Sequence, residues 1–200
     1  NGAAPGQGAA SMVVKRGTLH RIVRAAAQRE GVTISWSKTL VKIETRADQQ
    51  VIAHFADGTT AQGDFLIGSD GLHSRVRQII DSTASLPGYT GLISCGGYGH
   101  TTTLAPTPDT QHFIFGKRAF FGYFVKPNGE VYWFNNMAYP GTPRRSELEA
   151  ISSAQWRQTL LALHQDDPPF INEIIRSSGD SIGAYPIYDI PSTRVWHSGP

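Results

Sequence analysis

One cysteine, Cys95, stands among the 200 residues, so the chain can form no internal disulfide and no cysteine-based zinc site. Core packing is its expected role, and a lone thiol fits a reducing compartment. Charge of one sign is equally scarce: 18 Lys and Arg face 16 Asp and Glu, a net +2 without any block of like residues. Neither nucleic acid nor an anionic membrane finds a footprint in that pattern. No apolar run approaches the roughly 20 residues that span a bilayer, and no charged-then-apolar leader opens the chain, so a cytoplasmic protein is expected. Seven histidines yield no HxxxH or HxH pair, and no metal is expected. Gly68-Ser69-Asp70-Gly71 lacks the G-x-S-x-G elbow of serine hydrolases, and His73 beside Ser74 in sequence does not face it on a helix. No repeat is present. The first eleven residues, NGAAPGQGAAS, offer little to pack and read as a flexible edge. The chain starts without methionine and stops at Trp196-His197-Ser198-Gly199-Pro200 without a helix end, which reads as an internal piece of a longer protein.

What is present, at 40% hydrophobic content, suffices for one core or a little more. From Gly17, the residues Leu19, Ile22, Val23 and Ala26 recur at helical spacing, and Gly31 follows as a C-cap. Arg16 stands just before this helix, where a guanidinium can reach a phosphate with two parallel N–H donors or remain solvated. Short alternating runs at 32–36, 40–43 and 51–55 lead to an Asp57-Gly58 turn, the mark of an antiparallel hairpin.

The stretch Gly63 to Arg77, GDFLIGSDGLHSRVR, has a different layout. Phe65-Leu66-Ile67 predicts a buried strand, Gly68-Ser69-Asp70-Gly71 a tight turn, and Ser74 the cap of a short helix. Free N–H groups at the first turn of such a helix suit an anion. The same layout also serves merely to reverse a chain.

Beyond Ile80 the pattern becomes aromatic strands: 92–100, 111–115, 119–125 and 131–137, read as a β-meander with a turn at Pro127-Asn128-Gly129. A helix follows from a capping box at Ser146-Glu147-Leu148-Glu149 to His164. A second helix starts at Asp167-Pro168-Pro169-Phe170. Ile182 to Asp189 reads as an edge or crossover strand, because Pro186 lies inside it. Alternation selects His112, Phe121, Tyr123, Trp133 and Asn135 as candidate substrate contacts, although aromatic residues at such positions also serve as plain core. Asn135 and Asn136 stand out, since amides on an apolar strand need partners.

Asp70-Gly71-Leu72-His73-Ser74-Arg75-Val76-Arg77 resembles the Asp-Gly motif, DGxxSxxR, of the flavoprotein aromatic hydroxylases, the group A FAD-dependent monooxygenases similar to p-hydroxybenzoate hydroxylase. Arg16 with Leu19 resembles the R-x-x-L element of that family, and Tyr185-Pro186-Ile187-Tyr188-Asp189 resembles its returning strand. The resemblance implies a mixed α/β (α+β) fold: part of a Rossmann-like FAD-binding domain joined to an antiparallel or mixed β-sheet substrate domain with flanking helices. It implies boundaries near 1–11 for the flexible edge, 12–84 for the partial FAD domain, 85–182 for the substrate domain and 183–200 for the return strand. It implies FAD as cofactor, NAD(P)H as co-substrate and a small aromatic or polyketide-like substrate hydroxylated through a flavin C4a-hydroperoxide, with a cofactor carrying the chemistry and the protein orienting it. Arg16, Asp70, Gly71, Ser74 and Arg77 become cofactor-binding candidates: Arg16 towards the diphosphate, the Asp70-Gly71 loop towards diphosphate and nicotinamide nucleotide, Ser74 as cap, and Arg77 as a loop-fixing or phosphate-contacting cation. Two family elements, the G-x-G-x-x-G turn and the downstream Gly-Asp motif followed by a proline and a glycine-rich helix, do not occur in these 200 residues, and the piece alone is expected to be inactive. Two other readings stay open: a halogenase or isoprenoid reductase on the same fold, and a non-catalytic ligand-binding domain.

Overall fold

The computed structural model describes residues 14–107, 110–180 and 182–199, which fall into two units. The expected flexible edge at 1–11 lies outside the described residues. One unit holds Arg16–Gly88 with the tail from Tyr188; the other holds Lys15 and Tyr89–Ile187.

The first unit opens on helix α1, Arg16–Arg29, and Gly31 follows its end at φ 82°. None of its residues is buried, so the stripe of Leu19, Ile22 and Val23 stays about half exposed. Residues 32–36 form no strand, although their alternation predicts one. Strands β1 (Leu40–Thr45), β2 (Val51–Phe55) and β3 (Thr60–Gly63) make an antiparallel sheet in that order. Gly58 closes the β2–β3 turn at φ 81°, and the Asp57 carboxylate accepts from the Thr59 amide at 3.1 Å. Phe65-Leu66-Ile67 pairs with no strand here, and Phe65 and Ile67 are 67% and 75% exposed. Apolar content marks a segment for burial, but a strand also needs a neighbouring edge to bond. Helix α2, Arg75–Ile80, follows the glycine turn.

The second unit is a five-stranded sheet with helices on one face. Strands β4 (Gly88–His100), β5 (His112–Phe115), β6 (Ala119–Val125), β7 (Glu130–Ala138) and β8 (Gly183–Asp189) stand in the order β5-β6-β7-β4-β8. The meander is therefore partial. Strands β5, β6 and β7 are sequential neighbours, whereas β4 pairs with β7 and not with β5. β8 lies at the sheet edge, where its proline removes no ladder bond that a central strand would need.

The helical stretch after β7 is broken where one continuous helix is expected. Helix α3 is Arg145–Glu149, starting from Arg144, whose amide donates to Glu147 Oε2 at 2.9 Å. The box therefore sits two residues before Ser146. Ser152 then caps a new helix, α4, Ser153–Leu163: its amide donates to Gln155 Oε1 at 3.0 Å, and Gln155 N donates to its Oγ at 3.3 Å. A reciprocal cap of this kind starts a helix and so divides the run. Helix α5 is Pro169–Arg176, with Ile171, Ile174 and Ile175 all buried.

Alternation along the strands gives the sheet two unlike faces. Ile93, Cys95, Phe121, Val125, Val131 and Trp133 pack with Leu148, Trp156, Leu160 and the α5 isoleucines as the core. Burial pushes the Cys95 thiol up to about 12, so it is an inert core group. Phe113, Phe120, Tyr132, Phe134 and Asn136 occupy the opposite face.

Candidate active site

The glycine turn before α2 is held by its own side chains. Asp70 accepts from Ser74 Oγ at 2.5 Å, from Arg75 N at 2.7 Å and from Val76 N at 3.1 Å. Ser74, the N-cap, accepts from Arg77 N at 2.9 Å. Amides that a bare helix end would offer to an anion are thus already taken within the loop. Arg77 donates through a terminal nitrogen to Leu72 O at 2.7 Å, while its buried Nε has no partner among the described residues. Gly71 takes φ 77°, and a Cβ on Gly68 would stand 2.6 Å from Val76 Cβ, so the turn packs flush on the helix only with glycine there.

Burial pushes the Asp70 carboxyl up, but the Ser74 hydroxyl and the amides of Val76 and Arg75 outweigh it and hold the group below its ordinary 3.8. A carboxyl depressed in the folded state contributes stability above its unfolded value and loses it as pH falls through the folded value. Acidification below about pH 4 should therefore loosen this turn. Asp70→Ala should destabilise the chain by about 1–2 kcal/mol, the range for a lost cap, and should flatten the acid limb of a pH series of urea melts. An unchanged acid limb would place the loss elsewhere.

An open cleft of about 990 Å³ lies against this turn, walled by Leu66–Leu72, Ser74, Val76, Arg77 and Ile80 on one side and by residues of 190–199 on the other. Arg16 opens α1 as an exposed residue, and no acidic residue stands in the first turn of that helix. Arg16 is not among the residues that wall this cleft.

In the sheet unit, the structure places His112, Phe121, Tyr123, Trp133 and Asn135 on the helix-covered face. Phe121, Trp133 and Asn135 are fully buried. Trp133 stacks on Phe121 at 5.5 Å and donates to Ser178 Oγ at 2.7 Å. His112 stacks on Tyr123 at 4.8 Å and shares a hydrogen bond with Thr107. Asn135 is fully engaged as a donor: its Nδ2 gives to Phe120 O at 3.0 Å and lies 2.7 Å from His164 Nε2. Because a carbonyl can only accept, Phe120 fixes the orientation of the amide, and His164 must accept at Nε2 and donate from Nδ1. The Nδ1 proton goes to Asp167 at 2.7 Å. Burial raises the Asp167 carboxyl, and the Lys117 amide and the His164 ring more than offset it, leaving the group below 3.8. Phe121, Tyr123 and Trp133 belong to the core, Asn135 is buried with them and His112 is partly buried beside Tyr123, while the neighbours one position along lie on the opposite face.

Those neighbours form a continuous aromatic surface. Ring centroids are 5.5 Å apart for Phe113 and Phe120, 5.6 Å for Phe120 and Phe134, 6.2 Å for Phe134 and Tyr132, and 5.3 Å for Tyr132 and Tyr98. The Phe134 ring covers Gly122, where a Cβ would meet it at 2.6 Å. Burial, with Tyr185 and Tyr98 nearby, raises the Tyr132 hydroxyl above its ordinary value. Sequence alternation reveals two faces, but only the position of α3–α5 tells which is covered.

A mixed α/β chain with a capped Asp-Gly turn in one unit and an aromatic sheet in the other has the layout of a flavoprotein hydroxylase. Comparison with known proteins gives the family: residues 4–174 match the FAD binding domain model, and the chain belongs to that family, among the group A aromatic hydroxylases. The 6-hydroxynicotinate 3-monooxygenase of Bordetella bronchiseptica is 29% identical over 181 residues, covering 80% of this chain and 44% of that protein. The FAD-dependent monooxygenase eupB of Phoma sp. is 40% identical over 150 residues, covering 66% of this chain and 33% of that protein. Klebsiella pneumoniae HpxO, solved with FAD and uric acid, superposes with a TM-score of 0.70 at 23% identity, covering 88% of this chain and 43% of that one. At that identity the last likeness speaks for the fold alone. The chain spans less than half the length of each of these relatives. Among the described residues no helix is long and apolar enough to cross a membrane.

Proposed function

We propose that this chain supplies part of the FAD site and the substrate-facing sheet of an NAD(P)H-dependent monooxygenase that hydroxylates an aromatic small molecule. The observation that carries the reading is the Asp70–Arg77 turn, closed by its own side chains, within a chain of the FAD binding domain family. FAD, when bound, supplies the transfer of electrons from NAD(P)H to oxygen and of one oxygen atom to the substrate. The protein's part is to hold and orient.

Arg16 and the Asp70-Gly71 turn are assigned to the diphosphate, with Asp70 acting through the backbone that it pins rather than by direct contact. Ser74 and Arg77 keep that backbone in place. Relatives named for 6-hydroxynicotinate and 3-amino-4-hydroxybenzoate support an aromatic substrate. The aromatic sheet face suits it, because flat rings stack on flat rings and exclude water from the reacting carbon.

The test is NAD(P)H-dependent oxygen uptake by the protein encoded by the whole reading frame, with and without candidate phenols. Phenol-stimulated uptake with a hydroxylated product is expected. A flavin-loaded protein that oxidises NAD(P)H but yields a halogenated or reduced product would favour the same-fold alternatives.

A further inference from the structure

We infer that the open sheet face receives an uncharged planar ligand and that Asn136 is the side chain that reads its hydroxyl or carbonyl group. The inference rests on the reading of that face as the substrate surface and adds to it a charge class and a specificity residue.

The rings of Phe113, Phe120, Phe134 and Tyr132 make an apolar floor. Asn136 sits within it, half-buried, its backbone paired with Phe120 of β6 on one side and Ser94 of β4 on the other. Its side-chain amide makes no hydrogen bond among the described residues, in contrast to Asn135 one position before it. An amide half-removed from water on an apolar face gains from a ligand that restores its bonds. It offers one acceptor and two donors, the complement of a phenol or a quinone carbonyl.

Charge on the face is confined to one end. His100 and Glu130 pair across β4 and β7 there, and Glu130 is already engaged by Lys126 at 2.8 Å. Lys15 lies 5.3 Å from the Tyr98 ring at the same end. No arginine or lysine occurs at the open-face positions of β4, β5, β6 or β7. A carboxylate laid on this floor would lose hydration without gaining a cation. An uncharged ring system loses nothing comparable. The surface therefore differs from what an aromatic acid, such as the substrate in the name of the Bordetella relative, would call for.

The experiment titrates the chain with 2-naphthol, naphthalene and 2-naphthoate at neutral pH, following the ligands' own emission, and repeats the series with Asn136→Leu. The expected result is 2-naphthol tightest, naphthalene about fivefold weaker for want of one hydrogen bond, and 2-naphthoate at least about tenfold weaker. Asn136→Leu should bring 2-naphthol to the level of naphthalene and leave naphthalene unchanged. Equal binding of 2-naphthoate and 2-naphthol by the unaltered chain would overturn the charge class, whatever the variant does. A 2-naphthol affinity unmoved by Asn136→Leu would overturn the assignment of Asn136. No step uses flavin, so this pattern in the chain together with a whole-reading-frame protein that never binds FAD would sink the monooxygenase reading and keep this one, whereas flavin binding by that protein without the pattern would do the reverse.

Discussion

His164→Leu should cost about 3 kcal/mol of unfolding free energy or more, because a buried carboxylate loses a hydrogen-bond donor and the penalty for an unsatisfied charged group exceeds the roughly 1–3 kcal/mol of a neutral one. The ring is wholly buried and Asp167 retains only 4% of its side-chain exposure, so the substitution leaves a carboxylate in the core with the Lys117 amide as its remaining donor. Asn135 loses its second acceptor at the same time. The damage should spread to the β5–β6 turn, because Asp167 holds the Lys117 backbone at 3.0 Å and Arg118 pairs with Asp166 at 2.8 Å. Amide hydrogen exchange should show 115–120 losing protection before α5 does. The double variant His164→Leu with Asp167→Leu should recover much of the loss, since replacing both partners removes the unpaired charge. A double variant no more stable than the single one would mean that packing around the ring, and not the charge, carries the energy.

Trp133→Ala should be comparably severe, about 3–5 kcal/mol by the usual cost of a large-to-small change in a packed core. The indole is fully buried, stacks on Phe121 and satisfies Ser178, so its removal opens a cavity and orphans a hydroxyl. On the opposite face, Phe134→Leu should be milder, about 1 kcal/mol, because its ring is only partly buried. The informative comparison is between stability and ligand affinity. At a temperature where both variants are folded, Trp133→Ala should leave 2-naphthol affinity near that of the unaltered chain, and Phe134→Leu should weaken it several-fold. The reverse pattern would mean that the ligand enters between sheet and helices.

Much of this was legible in the residues. Apolar spacing located α1, the Asp57-Gly58 pair located a hairpin, and Ser74 with its glycine turn located α2. The Asp-Gly motif carried the family, now supported across residues 4–174. Three things were not legible, each for a physical reason. The spacing of apolar residues cannot show that Ser152 would restart a helix, since a cap interrupts a pattern without changing its period. The chemistry of an acidic turn does not show that Asp70 would turn its carboxylate back onto the helix rather than outward, because both geometries satisfy it. Alternation divides β6 and β7 into two sets of side chains but leaves them equivalent until helices cover one, so His112, Phe121, Tyr123, Trp133 and Asn135 were as eligible as Phe113, Phe120, Tyr132, Phe134 and Asn136.

The most direct measurement of the central claim is the visible spectrum of the protein from the whole reading frame, purified with added FAD and then freed of unbound cofactor, beside its Arg16→Ala variant. A yellow protein with a flavin band shifted from that of free FAD is expected, and a variant that loses flavin on the same column. A colourless protein after saturation with FAD would contradict that claim and would leave the Asp70–Arg77 stretch as no more than a well-capped turn between a sheet and a helix.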